Sequence, residues 1–191
     1  RPQNVPKGAN ACRNYGFELC KGVYVNWFDD DDCMVPDFLA TKVALFSEDL
    51  QMVICNGFKV DEKLNNPITL PFEETTTLFR DYVLWRLKIL TPGILFRKSF
   101  LAKKPLFLTT IKRGQETELF SRLFYEIKSN QYVITEKPLF LYRQHPESKT
   151  GRSMKYNKEY EMSKYIIHKQ NFLRGKTNKD VEVMNHCFQE N

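Results

Sequence analysis

Four consecutive carboxylates, Asp29, Asp30, Asp31 and Asp32, follow the run Val23-Tyr24-Val25-Asn26-Trp27-Phe28. That run is β-branched or aromatic apart from Asn26 and predicts a short strand. In an extended backbone Asp29 and Asp31 would point to one face, Asp30 and Asp32 to the other. Adjacent carboxylates repel, and no local Lys or Arg relieves them. A hard divalent cation would, because Mg²⁺ or Mn²⁺ takes oxygen ligands and leaves positions open for substrate phosphates. Open α/β sheets place ligands at the C-terminal ends of strands, so the tetrad is a candidate metal site. A solvated acidic turn accounts for the same residues.

A second candidate is Gly114-Gln115-Glu116-Thr117-Glu118-Leu119. Glu116 stands three and four residues before Leu119 and Phe120 and so shares the inward side of a helix. A carboxylate there is a candidate general base. As a first-turn acid it would equally stabilise the helix dipole. The third is Tyr142-Arg143-Gln144-His145-Pro146-Glu147-Ser148, a strand end. Its Arg143 and His145 could contact a diphosphate or complete a metal shell, and a surface loop is the alternative. The fourth, Arg13-Asn14, would position phosphate or carboxylate, or form a polar helical turn. Phosphate-loop, dinucleotide, EF-hand, zinc-protease and nucleophile-elbow patterns are absent.

The elements that must carry these residues follow from periodicity. A helix is expected over 9–21, with the small residues Ala9, Cys12 and Gly16 forming a close-packing side, then the 23–28 strand. Pro36 opens a helix to about Ser47 whose stripe is Phe38, Leu39, Val43 and Phe46. A strand spans 51–61, and a helix begun by Thr77 carries Leu78, Tyr82, Trp85 and Ile89 until Thr91-Pro92-Gly93. A short strand at 94–97, a helical turn at 98–103 and a helix after Gly114 come next. Strands at 131–135 and 139–143 flank Glu136-Lys137-Pro138, and helices cover 156–173 and 179–188.

Composition bounds the class. The chain has 191 residues, 42% of them hydrophobic, enough for one domain with its own core. No apolar run is long enough to span a membrane, and no signal-peptide pattern opens the sequence. Five cysteines without CxxC spacing point to reduced thiols and a cytosolic setting. Residues 1–80 hold 8 Lys/Arg against 12 Asp/Glu, and residues 81–191 hold 21 against 11. The basic part suits phosphates, nucleic acid or an anionic membrane, and charge alone does not choose among them.

In order, these pieces resemble the C-terminal two-thirds of a family 2 glycosyltransferase with the GT-A fold. The segment from Asn4 to Gly16 is similar to the family's "N-x-G…A-R-N-x-G". Gly22 to Asp32 resembles "G-x-Y-I-x-F-L-D-x-D-D". Gly114-Gln115-Glu116-Thr117-Glu118-Leu119 with Arg122-Leu123 resembles "G-E-D-x-x-L…R", and Tyr142-Arg143-Gln144-His145 with Ser148 resembles "Y-R-x-H-x-x-S". The family's first strand, its "P-x-Y-N" turn and its "D-D-G-S-x-D" segment have no counterpart, so the chain is expected to start within the fold.

The resemblance implies an α/β, Rossmann-like mixed sheet flanked by helices over 1–150, with a basic helical extension over 151–191. It implies an inverting transferase of polysaccharide biosynthesis, using Mn²⁺ or Mg²⁺ and a nucleotide-sugar donor, with UDP expected, and a glycan or lipid-linked acceptor. Asp31 of this DXD-type motif would hold the metal, with His145 reaching it or the diphosphate. Asp29 would lie by the ribose, Asp30 and Asp32 on the donor-sugar side, and Arg13 and Arg143 would support donor binding. Glu116 would be the base. Gln115-Glu116 departs from the family's Glu-Asp, lengthening the base by one methylene beside a neutral amide.

Two other classes remain at this point. One is a non-catalytic carbohydrate- or partner-binding module on the same fold. The other is a nucleic-acid or membrane-surface binder built from Lys155, Lys158, Lys164, Lys169, Arg174, Lys176 and Lys179 with Tyr165, Ile166 and Phe172. The favoured reading has no nucleic-acid partner and a cytoplasmic location, and it leaves open peripheral contact at the inner face of a membrane through the basic C-terminal region. A solvated helix packing its aromatic side on the core accounts for the same residues.

Overall fold

The computed structural model describes residues 3, 6–73, 77–144 and 157–190. Its elements in chain order are α1 (Ala9–Leu19), β1 (Tyr24–Val25), β2 (Cys33–Met34), α2 (Phe38–Ala44), β3 (Met52–Val60), β4 (Ile68–Thr69) and α3 (Leu78–Val83). They continue with β5 (Ile94–Arg97), α4 (Lys98–Leu101), α5 (Gln115–Glu126), β6 (Tyr132–Arg143), α6 (Lys158–Thr177) and α7 (Val181–Gln189). The strands form one mixed sheet in the order β1-β5-β3-β6-β2, with β4 also on β3. Among the described strands only β3 and β6 run parallel. The α/β class expected from the sequence is the class observed.

The run Met52-Val53-Ile54-Cys55 of β3 is buried on both faces, as a strand covered by helices on each side must be. Met52 and Ile54 join a large cluster with Phe79 and Tyr82 of α3 and Leu119, Phe120, Leu123 and Phe124 of α5. Cys55 enters a smaller one with Phe38 of α2, Leu70, Leu139 and Phe140. Val183 and Cys187 of α7 are fully buried in the large cluster, so the C-terminal helices share the main core. Arg80 of α3 reaches Asp180 at 3.0 Å and also pairs with Glu182. All five cysteines are free thiols.

Several elements differ from expectation, each for a tertiary reason. The 23–28 strand contracts to Tyr24–Val25, because Trp27 turns into the core and its Nε1–H donates to the Arg13 carbonyl at 3.2 Å. The helix expected from Pro36 to about Ser47 contracts to Phe38–Ala44, with Leu39 and Val43 exposed. Its buried side is instead Phe38 and Lys42. The Lys42 ammonium donates to Asn26 Oδ1 at 3.1 Å and Pro92 O at 2.9 Å, and stands 4.0 Å from the centre of the Phe38 ring. Burial pulls its pKa down to about 8.

Helix α3 stops at Val83, and Trp85, expected on its stripe, takes φ 60° and lies exposed. There the backbone amides of Arg86 and Leu87 both donate to Asp81 O, which ends the helix. The small side of α1 faces solvent at Cys12 and Gly16. What holds α1 is amide chemistry: Asn10 Nδ2 donates to the carbonyls of Leu108 and Ile111, and Asn14 exchanges two hydrogen bonds with the Phe107 backbone.

The two strands expected around Glu136-Lys137-Pro138 are one strand, β6. Register shifts opposite Cys55–Asn56 and Asn56–Phe58 accommodate Pro138, which has no amide hydrogen to pair. Gly57 lies at this irregularity, where a Cβ would stand 2.4 Å from Cζ of the buried Phe140 ring. Gly57→Ala is therefore expected to lower stability by about 1–3 kcal/mol through overpacking. The measurement is a fall in the urea midpoint at unchanged denaturant slope.

Candidate functional site

The aspartate tetrad is a turn, not a strand. The Asp32 amide donates to Asp29 O at 3.3 Å, which abolishes the expected two-faced alternation. Asp30 is exposed at the tip, while Asp29, Asp31 and Asp32 are half-buried. Relief of the repulsion comes from distant residues. Arg13 Nη2 lies 2.7 Å from Asp29 Oδ1 and 3.3 Å from Glu116 Oε1, so one guanidinium nitrogen touches both the tetrad and the candidate base. Three groups fix Arg13. Its backbone carbonyl accepts from Trp27, its guanidinium lies 5.1 Å from the Phe107 ring centre, and the asparagines dock α1 on the 107–111 loop. Its Nη1 is buried and has no hydrogen-bond partner among the described residues.

Glu116 occupies the first turn of α5, which starts after Gly114 in the left-handed region at φ 68°. The Gln115 amide, the point of departure from the family pattern, donates back to the Lys112 carbonyl at 3.2 Å. Next along, Thr117 hydrogen-bonds the buried Tyr82 hydroxyl. That hydroxyl is held well above the usual phenol range by burial, with the charge of Glu116 adding to the effect. One turn on, Glu118 takes a two-pronged contact from Arg122 at 2.9 Å. Arg122 also donates to the carbonyls of Pro105 and Leu106, and so anchors the loop that carries Phe107 beneath Arg13.

On the other flank the Arg143 amide donates to Asp32 Oδ1 at 3.0 Å, across the β2–β6 pairing. Asp32 is nonetheless pushed up to about 7. Burial is the main cause, and the charges of Asp31 and Asp29 add to it against the opposing amide and Arg143 charge. The Arg143 guanidinium lies along Cys33, with Nη2 3.6 Å from Sγ and Nε buried with no partner among the described residues. His145 and Ser148, expected to complete the site, lie outside the described residues. Among the described residues no group of three His, Cys, Asp or Glu is arranged to hold a metal ion.

The geometry thus brings Arg13, Asp29 and Glu116 together, and separately Asp32 with Arg143. Trp27, Phe107 and Lys42 were not foreseen as supports. Trp27 stood within the quoted strand motif, whereas nothing local marks Phe107 or the burial of Lys42.

The glycosyl transferase family 2 model matches residues 1–103. The putative colanic acid biosynthesis glycosyl transferase WcaA of Escherichia coli K12 is 27% identical over 179 residues, covering 90% of this chain and 61% of the relative. Two crystal structures of S. aureus TarS 1–349 share the fold at 16% identity. The complex with UDP has a TM-score of 0.57, covering 82% of this chain and 43% of TarS. The complex with UDP-GlcNAc has a TM-score of 0.60, covering 88% and 48%. The chain therefore spans about three-fifths of the curated relative it matches.

Asp32 yields a pH-dependent expectation. With its folded pKa raised, the native state keeps a proton that the unfolded chain releases between about pH 4 and pH 7, so stability falls across that window as pH rises. Asp32→Asn removes this loss and keeps an acceptor for the Arg143 amide. It should match the parent near pH 4 and exceed it at pH 8 by on the order of 1 kcal/mol, solvent screening being allowed for. Urea unfolding at the two pH values measures the difference.

Proposed function

The chain belongs to glycosyl transferase family 2, and on that premise we propose that it transfers a sugar from a nucleotide-diphosphate sugar to a hydroxyl of a glycan or lipid-linked saccharide. The observation that supports this reading is the Arg13 contact with both Asp29 and Glu116, which holds the aspartate turn and the candidate base within one guanidinium's reach. UDP as the nucleotide is supported by the UDP and UDP-GlcNAc of the two TarS complexes, and a polysaccharide product by the name of WcaA.

In this reading the acceptor hydroxyl oxygen attacks the anomeric carbon from the side opposite the diphosphate. The bond to the diphosphate breaks, the configuration inverts, and the hydroxyl proton passes to Glu116. Asp29 meets the ribose, Asp30 and Asp32 shape the donor-sugar side, and Arg13 and Arg143 supply positive charge around the donor. The donor set fits a hard cation: one turn holds three half-buried carboxylates, and like-charge repulsion within it helps to raise the proton affinity of Asp32. Mg²⁺ and its relatives need only one or two protein carboxylates when phosphate and water fill the remaining positions. Asp31 would hold Mn²⁺ or Mg²⁺, and His145, outside the described residues, is the further ligand that the family resemblance implies. Bound there, the cation supplies neutralisation of charge on the departing diphosphate.

Calorimetric titration of UDP tests the donor half. Binding is expected with Mn²⁺ present, and is expected to vanish with chelator and in Asp31→Ala. Glu116→Gln should keep UDP binding while transfer falls on the order of 10²- to 10⁴-fold, the usual contribution of a positioned base. A folded chain that binds saccharide yet no UDP under either condition would move the assignment to a non-catalytic binding module.

A further inference from the structure

Helix α6 is buried on one side and carries large apolar side chains on the exposed side as well. Every fourth residue from Ser163 through Ile167 and Asn171 to Gly175 is buried. At 3.6 residues per turn the opposite side carries Lys158, Met162, Tyr165, Lys169, Leu173 and Lys176. Met162 is 51% exposed, Tyr165 49% and Leu173 46%. On that exposed side three large apolar side chains are interspersed with lysines and have water against them.

The structure also revises which basic residues are available. Lys164 lies 3.7 Å from Glu190, and Arg174 turns inward to Asn171 Oδ1 at 2.7 Å and the Tyr125 ring. Phe172 packs on the large core cluster and Ile166 is half-buried, so neither serves the outer face. Lys158, Lys169 and Lys176 are exposed on this face, with Lys169 Nζ 5.7 Å from the Tyr165 ring centre; Lys179 is exposed beyond the end of the helix, and Lys155 lies outside the described residues. No acidic residue falls in this row: Glu159 and Glu161 sit to either side of it. The acids of the next helix are turned elsewhere, Asp180 and Glu182 to Arg80.

We propose that this face of α6 docks on an anionic membrane surface, with the helix axis along the bilayer plane. Met162, Tyr165 and Leu173 enter the boundary between headgroups and acyl chains, and Lys158, Lys169 and Lys176 meet lipid phosphates. The row is straight and roughly 30 Å long for a 20-residue helix. Its two kinds of side chain select the occupant. Nucleic-acid phosphates would satisfy the lysines and leave Met162 and Leu173 against water. A lipid interface satisfies both at one depth, with lysine stems lying on hydrocarbon and ammoniums on phosphate. Among the described residues no helix is long and apolar enough to cross a membrane. The inference is independent of the catalytic reading.

Flotation of the full chain with phosphatidylcholine vesicles, with and without about 30 mol% phosphatidylglycerol, tests it at about 0.15 M NaCl, where long-range charge attraction is screened. Binding is expected only to the anionic vesicles. The combined change Met162→Ser, Tyr165→Ser and Leu173→Ser should cut partitioning about 10-fold or more, as should Lys158→Gln, Lys169→Gln and Lys176→Gln together. Circular dichroism confirms that each variant is folded. Leu173→Trp should show blue-shifted emission on adding anionic vesicles. The proposal is overturned if the folded chain does not float, if the serine variant floats as well as its parent, or if the Trp emission stays put. Stronger retention on single-stranded nucleic acid than on anionic vesicles would also overturn it.

Discussion

Negative charge concentrated in one tight turn is the constraint on which the rest of this site depends. Asp29, Asp30, Asp31 and Asp32 cannot move apart, because the chain links them, so compensation has to arrive from other elements. Arg13 arrives on α1 and the Arg143 amide on β6. Each needs its own support. The Asn10 and Asn14 amides fasten α1 to the 107–111 loop, Arg122 fastens the preceding 105–106 backbone to α5, and the Phe107 ring flanks the Arg13 guanidinium. The polar scaffold is thus a relay of hydrogen bonds, most of them buried or half-buried, in which an unmade buried bond costs more than a made one contributes.

Stability has a different source. The large apolar cluster joins β3 and β5 of the sheet with α3, α5 and α7, and stacked or edge-on contacts among Phe79, Tyr82, Phe120, Phe124 and Tyr125 run through it. Each fully buried side chain of this kind contributes about 1.5–3 kcal/mol. The surface pairs, such as Lys104 with Glu126, contribute about 0–1 kcal/mol each and orient elements more than they hold them. Burial of Val183 and Cys187 makes α7 part of this core, and α6 is carried with it. The basic helix therefore sits at a set position against the sheet and its helices, with one side committed inward and one facing out.

The family membership and the geometry meet at Arg13. Residues 1–103 carry the family match, whereas Glu116 and Arg143 lie beyond it. The link between the two parts is physical: α1, inside the matched stretch, places its guanidinium against the first turn of α5, outside it. A donor bound at the turn and an acceptor beside Glu116 would share that residue, so charge changes on one side would be felt on the other.

Periodicity and motif order in the sequence determined the α/β class, the long strand β3, the inward stripe of α5 and the identity of the carboxylates. These features depend on neighbours within a few residues, where side-chain direction follows backbone geometry. Tertiary structure alone decided the turn at Asp30–Asp31, the shortening of α2 and α3, the fusion of two strands into β6 and the burial of Lys42. It also decided which basic residues of α6 face outward. In each case the deciding partner lies far away in the chain: Pro92 for Lys42, Tyr125 for Arg174, Glu116 for Arg13. Local pattern carries no information about such a partner, because burial and pairing energies depend on what folding brings alongside, not on what precedes or follows in sequence.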